Sequence, residues 1–133
     1  MIEISTDKNK LDIDVIHQFL TKAYWSEGRT NEEVKKSIKN SLCFGMYYNH
    51  KQIGFARVTT DYTIFSYLMD VFILPQYRGK GYSKQLIKAI HENPKLQSCK
   101  VWMLKTRDAH SLYKQFGYLK LRHSETSMER ILK

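Results

Sequence analysis

Between Asp70 and Ser83 the chain reads Asp-Val-Phe-Ile-Leu-Pro-Gln-Tyr-Arg-Gly-Lys-Gly-Tyr-Ser, a stretch suited to holding a phosphate. The apolar run from Val71 to Leu74 predicts a strand, Gly79 and Gly81 a turn, and the residues after Gly81 a helix. A helix start leaves backbone N–H groups unpaired and carries the positive end of the helix dipole. Together they attract an anion. The glycines let the backbone approach that anion closely and reach positive φ where the turn demands it. Arg78 and Lys80 add cationic side chains beside it. Two glycines one residue apart also fit an ordinary strand-to-helix turn. A dinucleotide fingerprint would need a third glycine and an acidic residue about 20 positions further on, and a Walker loop would need Gly-Lys-Ser/Thr. Neither pattern is present.

The elements that must carry this turn follow from periodicity. Met1 to Ser5 reads as a short strand. Leu11, Val15, Ile16, Phe19, Leu20 and Ala23 fall at helical spacing and predict an amphipathic helix over 11–23. After the loop Tyr24 to Arg29, Thr30 and Glu33 form a capping-box pattern, and Val34 and Ile38 mark the buried side of a second helix. Leu42 to Tyr48 and Gln52 to Thr60 are aromatic and β-branched runs around Asn49-His50-Lys51, a hairpin. A turn at Asp61-Tyr62-Thr63 precedes the strand Ser66 to Leu74, whose unbroken apolar end predicts burial on both faces. Leu86, Ile87 and Ile90 face inward on the next helix, which Asn93-Pro94 ends. Cys99 to Leu104 is a further apolar strand. A short helix with Ala109, Leu112, Tyr113 and Phe116 follows, with Gly117 placed as its C-terminal cap. A final strand or hairpin from Tyr118 to Leu132 closes this mixed α/β order.

At 133 residues the chain is sized for one domain with its own core. A 42% hydrophobic and 13% aromatic content excludes a disordered chain. No repeat, linker or low-complexity tract divides it. Nothing resembles a signal peptide and no apolar run is long enough to span a bilayer, so the expected compartment is the cytosol. Cys43 and Cys99 sit in apolar runs and read as core residues. The five histidines are scattered, no His/Cys cluster has zinc spacing, and no metal is expected. The net charge of +9 favours anionic partners: nucleic acid, anionic lipid or a polyphosphate. The basic residues are spread, with no run longer than Lys35-Lys36, which fits a solvated surface better than a binding stripe.

The full pattern is more specific than its glycines. Asp-Val-Phe-Ile-Leu-Pro-Gln-Tyr-Arg-Gly-Lys-Gly, then a helix, a strand, and Ala109-x-x-Leu112-Tyr113-x-x-x-Gly117-Tyr118 resembles the GNAT superfamily of acyl-CoA-dependent N-acetyltransferases. The resemblance runs from about residue 42 to the end, and the two helices ahead suit the family's usual start. It implies an α/β (α+β) fold, with a mostly antiparallel central sheet, splayed central strands and about four flanking helices. It implies acetyl-CoA as co-substrate, its pyrophosphate wrapped by Arg78, Gly79, Lys80, Gly81, Tyr82 and Ser83, mostly through backbone N–H groups. The pantetheine arm would pair with Val71, Phe72 and Ile73 as an added strand, and a backbone N–H there would polarise the thioester carbonyl. The same three side chains also suit core packing. Tyr113 is implied as the general acid that protonates the departing thiolate; its spacing from Ala109 and Phe116 equally suits a core aromatic.

Asp70 stands where several relatives carry a carboxylate. It could be the base, an orienter of the amine, or a strand-end charge paired with a neighbour; His110 and Asp108 are weaker candidates. Many members have an asparagine seven residues before the tyrosine, where this chain has Thr106, which puts that contact to the pantetheine arm in question. The loop with Tyr24, Trp25 and Arg29 lies where the family often builds its acceptor pocket; the alternative is a solvated surface loop, which would usually be less aromatic. No cysteine holds a convincing nucleophile position, which favours direct transfer to a primary amine over an acyl-enzyme. The competing readings are a catalytically silent acyl-CoA-binding regulator and, from the charge alone, a nucleic-acid or ribosome binder without a recognised motif. The acceptor stays open among small amines, amino acids, antibiotics and protein amines, with polycations such as polyamines disfavoured by the positive charge. A homodimer is common in relatives, and the apolar final segment could supply its interface.

Overall fold

The computed structural model describes residues 1–132. Five strands form one sheet in chain order: β1 (Ile2–Ser5), β2 (Leu42–Tyr48), β3 (Lys51–Thr60), β4 (Phe65–Ile73) and β5 (Val101–Met103). The first four pair antiparallel through short connections, whereas β4 and β5 are parallel. A parallel neighbour needs a crossover, and α3 (Tyr82–His91) provides it. The remaining helices are α1 (Ile13–Leu20), α2 (Asn31–Lys39) and α4 (His110–Lys114).

Strand alternation sends side chains to two cores. Leu42, Phe44 and Met46 of β2 pack with Ala56, Val58, Leu86, Ile87, Ile90 and Tyr113 on the face covered by α3 and α4. Cys43, Phe55 and Phe72 meet Ile16, Leu20, Val34 and Ile38 on the face covered by α1 and α2. The capping box at Thr30 and Glu33 forms as read. The first helix is shorter than the 11–23 predicted, because the Asp12 side chain accepts from Val15 N and fixes the start behind Leu11.

Two further readings need correction. The strand over Cys99 to Leu104 holds only at Val101–Met103, since pairing with β4 ends at Tyr67 opposite Met103 and the two strands then separate. No strand or hairpin forms from Tyr118 to Leu132; the only regular element there is a 3-10 turn at Ser124–Thr126. Leu119 and Leu121 alternate with Lys120 and Arg122 as a half-buried strand would. The free edge of so short a β5 offers little ladder to join, and Leu119 and Met128 stand 80% and 97% exposed.

Candidate functional site

The separation of β4 from β5 opens a cleft of about 570 Å³, with Phe19, Trp25 and Arg29 on one wall and Leu104, Thr106 and Tyr113 on the other. A bulge in β4 shapes its floor. Phe72 pairs with Phe55 and Met69 with Arg57, so Asp70 and Val71 together oppose Ala56. The extra residue is Asp70, held at φ +54°, in the left-handed region that aspartate tolerates better than most residues. Strict alternation from Leu68 would place Asp70 on the α3 face. The bulge instead turns it toward α1 and α2 and sends Val71 and Ile73 to the α3 side. The continuous apolar run had predicted burial of Val71 on both faces; it is half-buried because one side lines the cleft.

Both oxygens of the buried Asp70 carboxylate accept hydrogen bonds. Its Oδ2 accepts from Arg29 Nη1 at 2.6 Å and Arg57 Nε at 2.9 Å, and its Oδ1 accepts from Trp25 Nε1 at 3.0 Å. Arg57 also donates to Ser41 Oγ at 3.1 Å. Asp70 therefore ties the α1–α2 loop to the sheet.

Beyond Tyr67, β4 has no strand on its β5 side. Leu74 N donates to Ile53 O on β3, so the two-residue period turns the N–H and C=O groups of Val71 and Ile73 toward the cleft. Ile73 O accepts from Arg78 Nε at 2.9 Å, which draws the turn onto the strand end. Gly79 and Gly81 adopt φ +79° and +81°, and Gly81 is the side-chain-free N-cap of α3. Arg78 N donates to Pro75 O and Gln85 N to Gly81 O; no backbone N–H from 79 to 84 has a partner among the described residues. A Cβ at either glycine would meet nothing, so the space over the turn is open. Tyr82 packs its ring against the core, leaving its N–H as the group it offers.

On the facing wall, Tyr113 is 7% exposed and lines the cleft. Burial, with a smaller contribution from nearby Tyr24, pushes its hydroxyl up to about 12. Thr106 does not extend freely into the cleft, because its Oγ1 accepts from Ala109 N at 3.1 Å and fixes the entry to α4. Tyr24 Oη accepts from Arg107 N at 3.2 Å while the Arg107 guanidinium lies 3.7 Å from its ring centre. That contact links the two loops at the mouth.

Of the predicted residues, Tyr24, Trp25, Arg29, Asp70, Val71, Phe72, Ile73, Arg78, Ser83, Thr106 and Tyr113 line this one cleft, as does Asp108. Gly79, Lys80, Gly81 and Tyr82 do not line it; they form the turn between the lining residues Arg78 and Ser83, and His110 is exposed outside it. Arg57, Phe19, Lys105 and Arg107 escaped the sequence reading. Arg57 carried a signal: a charge inside an otherwise apolar strand requires a buried partner. No metal-ligating cluster of His, Cys, Asp or Glu occurs among the described residues, and no helix there is long and apolar enough to cross a membrane. A second, more open hollow of about 690 Å³ around Lys10, Lys35 and Lys51 shares no lining residue with the cleft.

Residues 39–120 match the family profile described as acetyltransferase (GNAT) domain. The fold superimposes with a TM-score of 0.96 on a Xanthomonas campestris protein assigned to the GNAT acetyltransferases, 41% identical and covering 99% of this chain and 94% of that one. A Gibberella zeae protein assigned as an acetyltransferase is 27% identical over 86% of this chain and 77% of its own. A Clostridium acetobutylicum protein described as a predicted acetyltransferase and crystallised with acetyl-CoA shares the fold, with a TM-score of 0.74 at 16% identity, over 98% and 96% of the two chains. The chain belongs to the GNAT family of acetyltransferases.

Proposed function

We propose that the protein transfers an acetyl group from acetyl-CoA directly to a primary amine. The observation that carries this reading is one cleft lined by the unpaired β4 edge, by Tyr113, and by Arg78 and Ser83, which flank the turn whose N–H groups at 79–84 are unpaired. These groups fit the donor. The N–H groups and the α3 dipole suit a pyrophosphate, and the edge at Val71 with the N–H of Ile73 suits an extended arm bearing amides. The Clostridium relative, crystallised with acetyl-CoA, supports the same assignment by fold.

Bound acetyl-CoA supplies an activated thioester. The N–H groups of the bulged β4 stretch can donate to its carbonyl oxygen, stabilising the charge that develops there as the amine attacks. As the carbon–sulfur bond breaks, Tyr113 delivers its proton to the sulfur and recovers one from solvent. A hydroxyl raised to about 12 carries that proton throughout the neutral range. The attacking amine loses one proton to water, since both Asp70 oxygens already accept hydrogen bonds. Asp70 is thus a positioning residue for Trp25, Arg29 and the bulge, and not the base.

The test is acetyl-CoA-dependent thiol release across a panel of primary amines, with mass detection of the acetylated product. At least one amine stimulates release well above hydrolysis. Tight acetyl-CoA binding without stimulation by any amine would instead favour an acyl-CoA-binding regulator.

A further inference from the structure

We infer that the acceptor is a small primary amine carrying its own anionic group, a carboxylate or phosphate, and that Arg29 reads that group. The inference rests on the transferase reading and narrows its substrate class. An ammonium group ordinarily calls for a carboxylate in its site. Here the one buried carboxylate of the cleft, Asp70, already accepts from two guanidiniums and an indole. Two arginines around one carboxylate leave one uncompensated positive charge.

That charge emerges at Arg29. The Arg57 side chain is 11% exposed and spends further N–H groups on Ser41, Thr59 and Met69. Arg29, 19% exposed and lining the cleft, uses only Nη1; its Nε and Nη2 have no partner among the described residues. A guanidinium pinned at one nitrogen, with two others unpartnered beside a cleft, can offer a fork to a carboxylate or phosphate. The cleft lining as a whole has the same sign, with Arg29, Arg78, Lys105 and Arg107 against Asp70 and Asp108. Arg107 is held at the mouth by the Tyr24 ring, and Lys105 stands beside it. Of the acids at this end, Asp108 lies 3.9 Å from Arg107, and Glu129 pairs with Lys105. Phe19, Tyr24 and Trp25 leave apolar wall for a short spacer between amine and anion.

The test uses matched acceptors with the whole protein and acetyl-CoA: γ-aminobutyrate against butylamine, phosphoethanolamine against ethanolamine, and spermidine as a polycation. In wild type the anionic member of at least one pair is preferred about 10- to 100-fold in kcat/KM, the range of a charge-assisted hydrogen bond. Which pair shows it separates carboxylate from phosphate. Arg29→Gln erases most of the preference through KM, and Arg29→Lys restores part of it. A measurement needing no variant accompanies these: butyrate or ethyl phosphate inhibits competitively with the acceptor, whereas butanol does not. Equal or better turnover of neutral amines or spermidine overturns the inference while leaving the transferase reading intact. A preference that survives Arg29→Gln also overturns it, as does the absence of turnover with every amine. Failure to bind acetyl-CoA, read by calorimetry, strikes the transferase reading itself.

Discussion

Asp70→Asn separates a positioning carboxylate from a catalytic base. The substitution keeps the shape of the side chain and one acceptor oxygen but removes the negative charge between Arg29 and Arg57. Arg29 has some access to water, whereas the Arg57 side chain is 11% exposed. Most of the penalty therefore falls on an uncompensated Arg57 guanidinium, and removing one partner of a buried ion pair costs about 3 to 5 kcal/mol. Asn retains an acceptor for Trp25, which puts the expectation near the lower end, about 3 kcal/mol. For a chain of this size that corresponds to a fall in Tm of about 10 °C. Urea and thermal denaturation measure the loss. Arg57→Met added to Asp70→Asn recovers part of it, because the orphaned charge is gone. Activity, measured where both proteins are folded, falls at every pH without a change in the shape of the profile. A variant within about 1 kcal/mol of wild type that loses the acid limb of its kcat profile would refute the reasoning and return Asp70 to the role of base.

Two more predictions follow from the same geometry. Tyr113→Phe lowers kcat about 100-fold or more, the scale of general acid catalysis, with acetyl-CoA affinity by calorimetry little changed; unaltered turnover across pH would remove the tyrosine from the acid role. His91, half-buried against Trp102 and bonded to Tyr118 Oη at 3.1 Å, has its pKa lowered by burial from 6.5. The unfolded chain then binds the proton more readily than the folded one, so this contribution is complete above 6.5 and is lost as pH falls below it. Urea titrations at several pH values detect the slope, and His91→Gln flattens it; an identical slope in the variant would discount the effect.

The features legible from sequence are those fixed by local chemistry. Thr30 and Glu33 specify a cap with no help from the rest of the chain, and Gly79 and Gly81 announce positive φ because other residues resist it. The cleft was legible only as a family expectation, since the divergence of β4 from β5 leaves no local mark. The bulge was hidden for a different reason. Its phase shift falls beside the run Val71 to Leu74, which is apolar at every position and so carries no alternation to break. Arg57 and Asp70 lie 13 positions apart, and only the register between β3 and β4 shows that they meet. The C-terminal segment misled because Leu119 to Arg122 has a strand's alternation without a neighbour long enough to complete the ladder.

The claim that the turn and the open edge of β4 form one acetyl-CoA site is tested most directly by amide NMR of the labelled protein during titration with acetyl-CoA. The account predicts saturable shifts at the amides of Gly79 to Lys84 and of Val71 and Ile73, together with the resonances of Tyr113. Shifts confined to the hollow around Lys10, Lys35 and Lys51, or none at saturating acetyl-CoA, would contradict it.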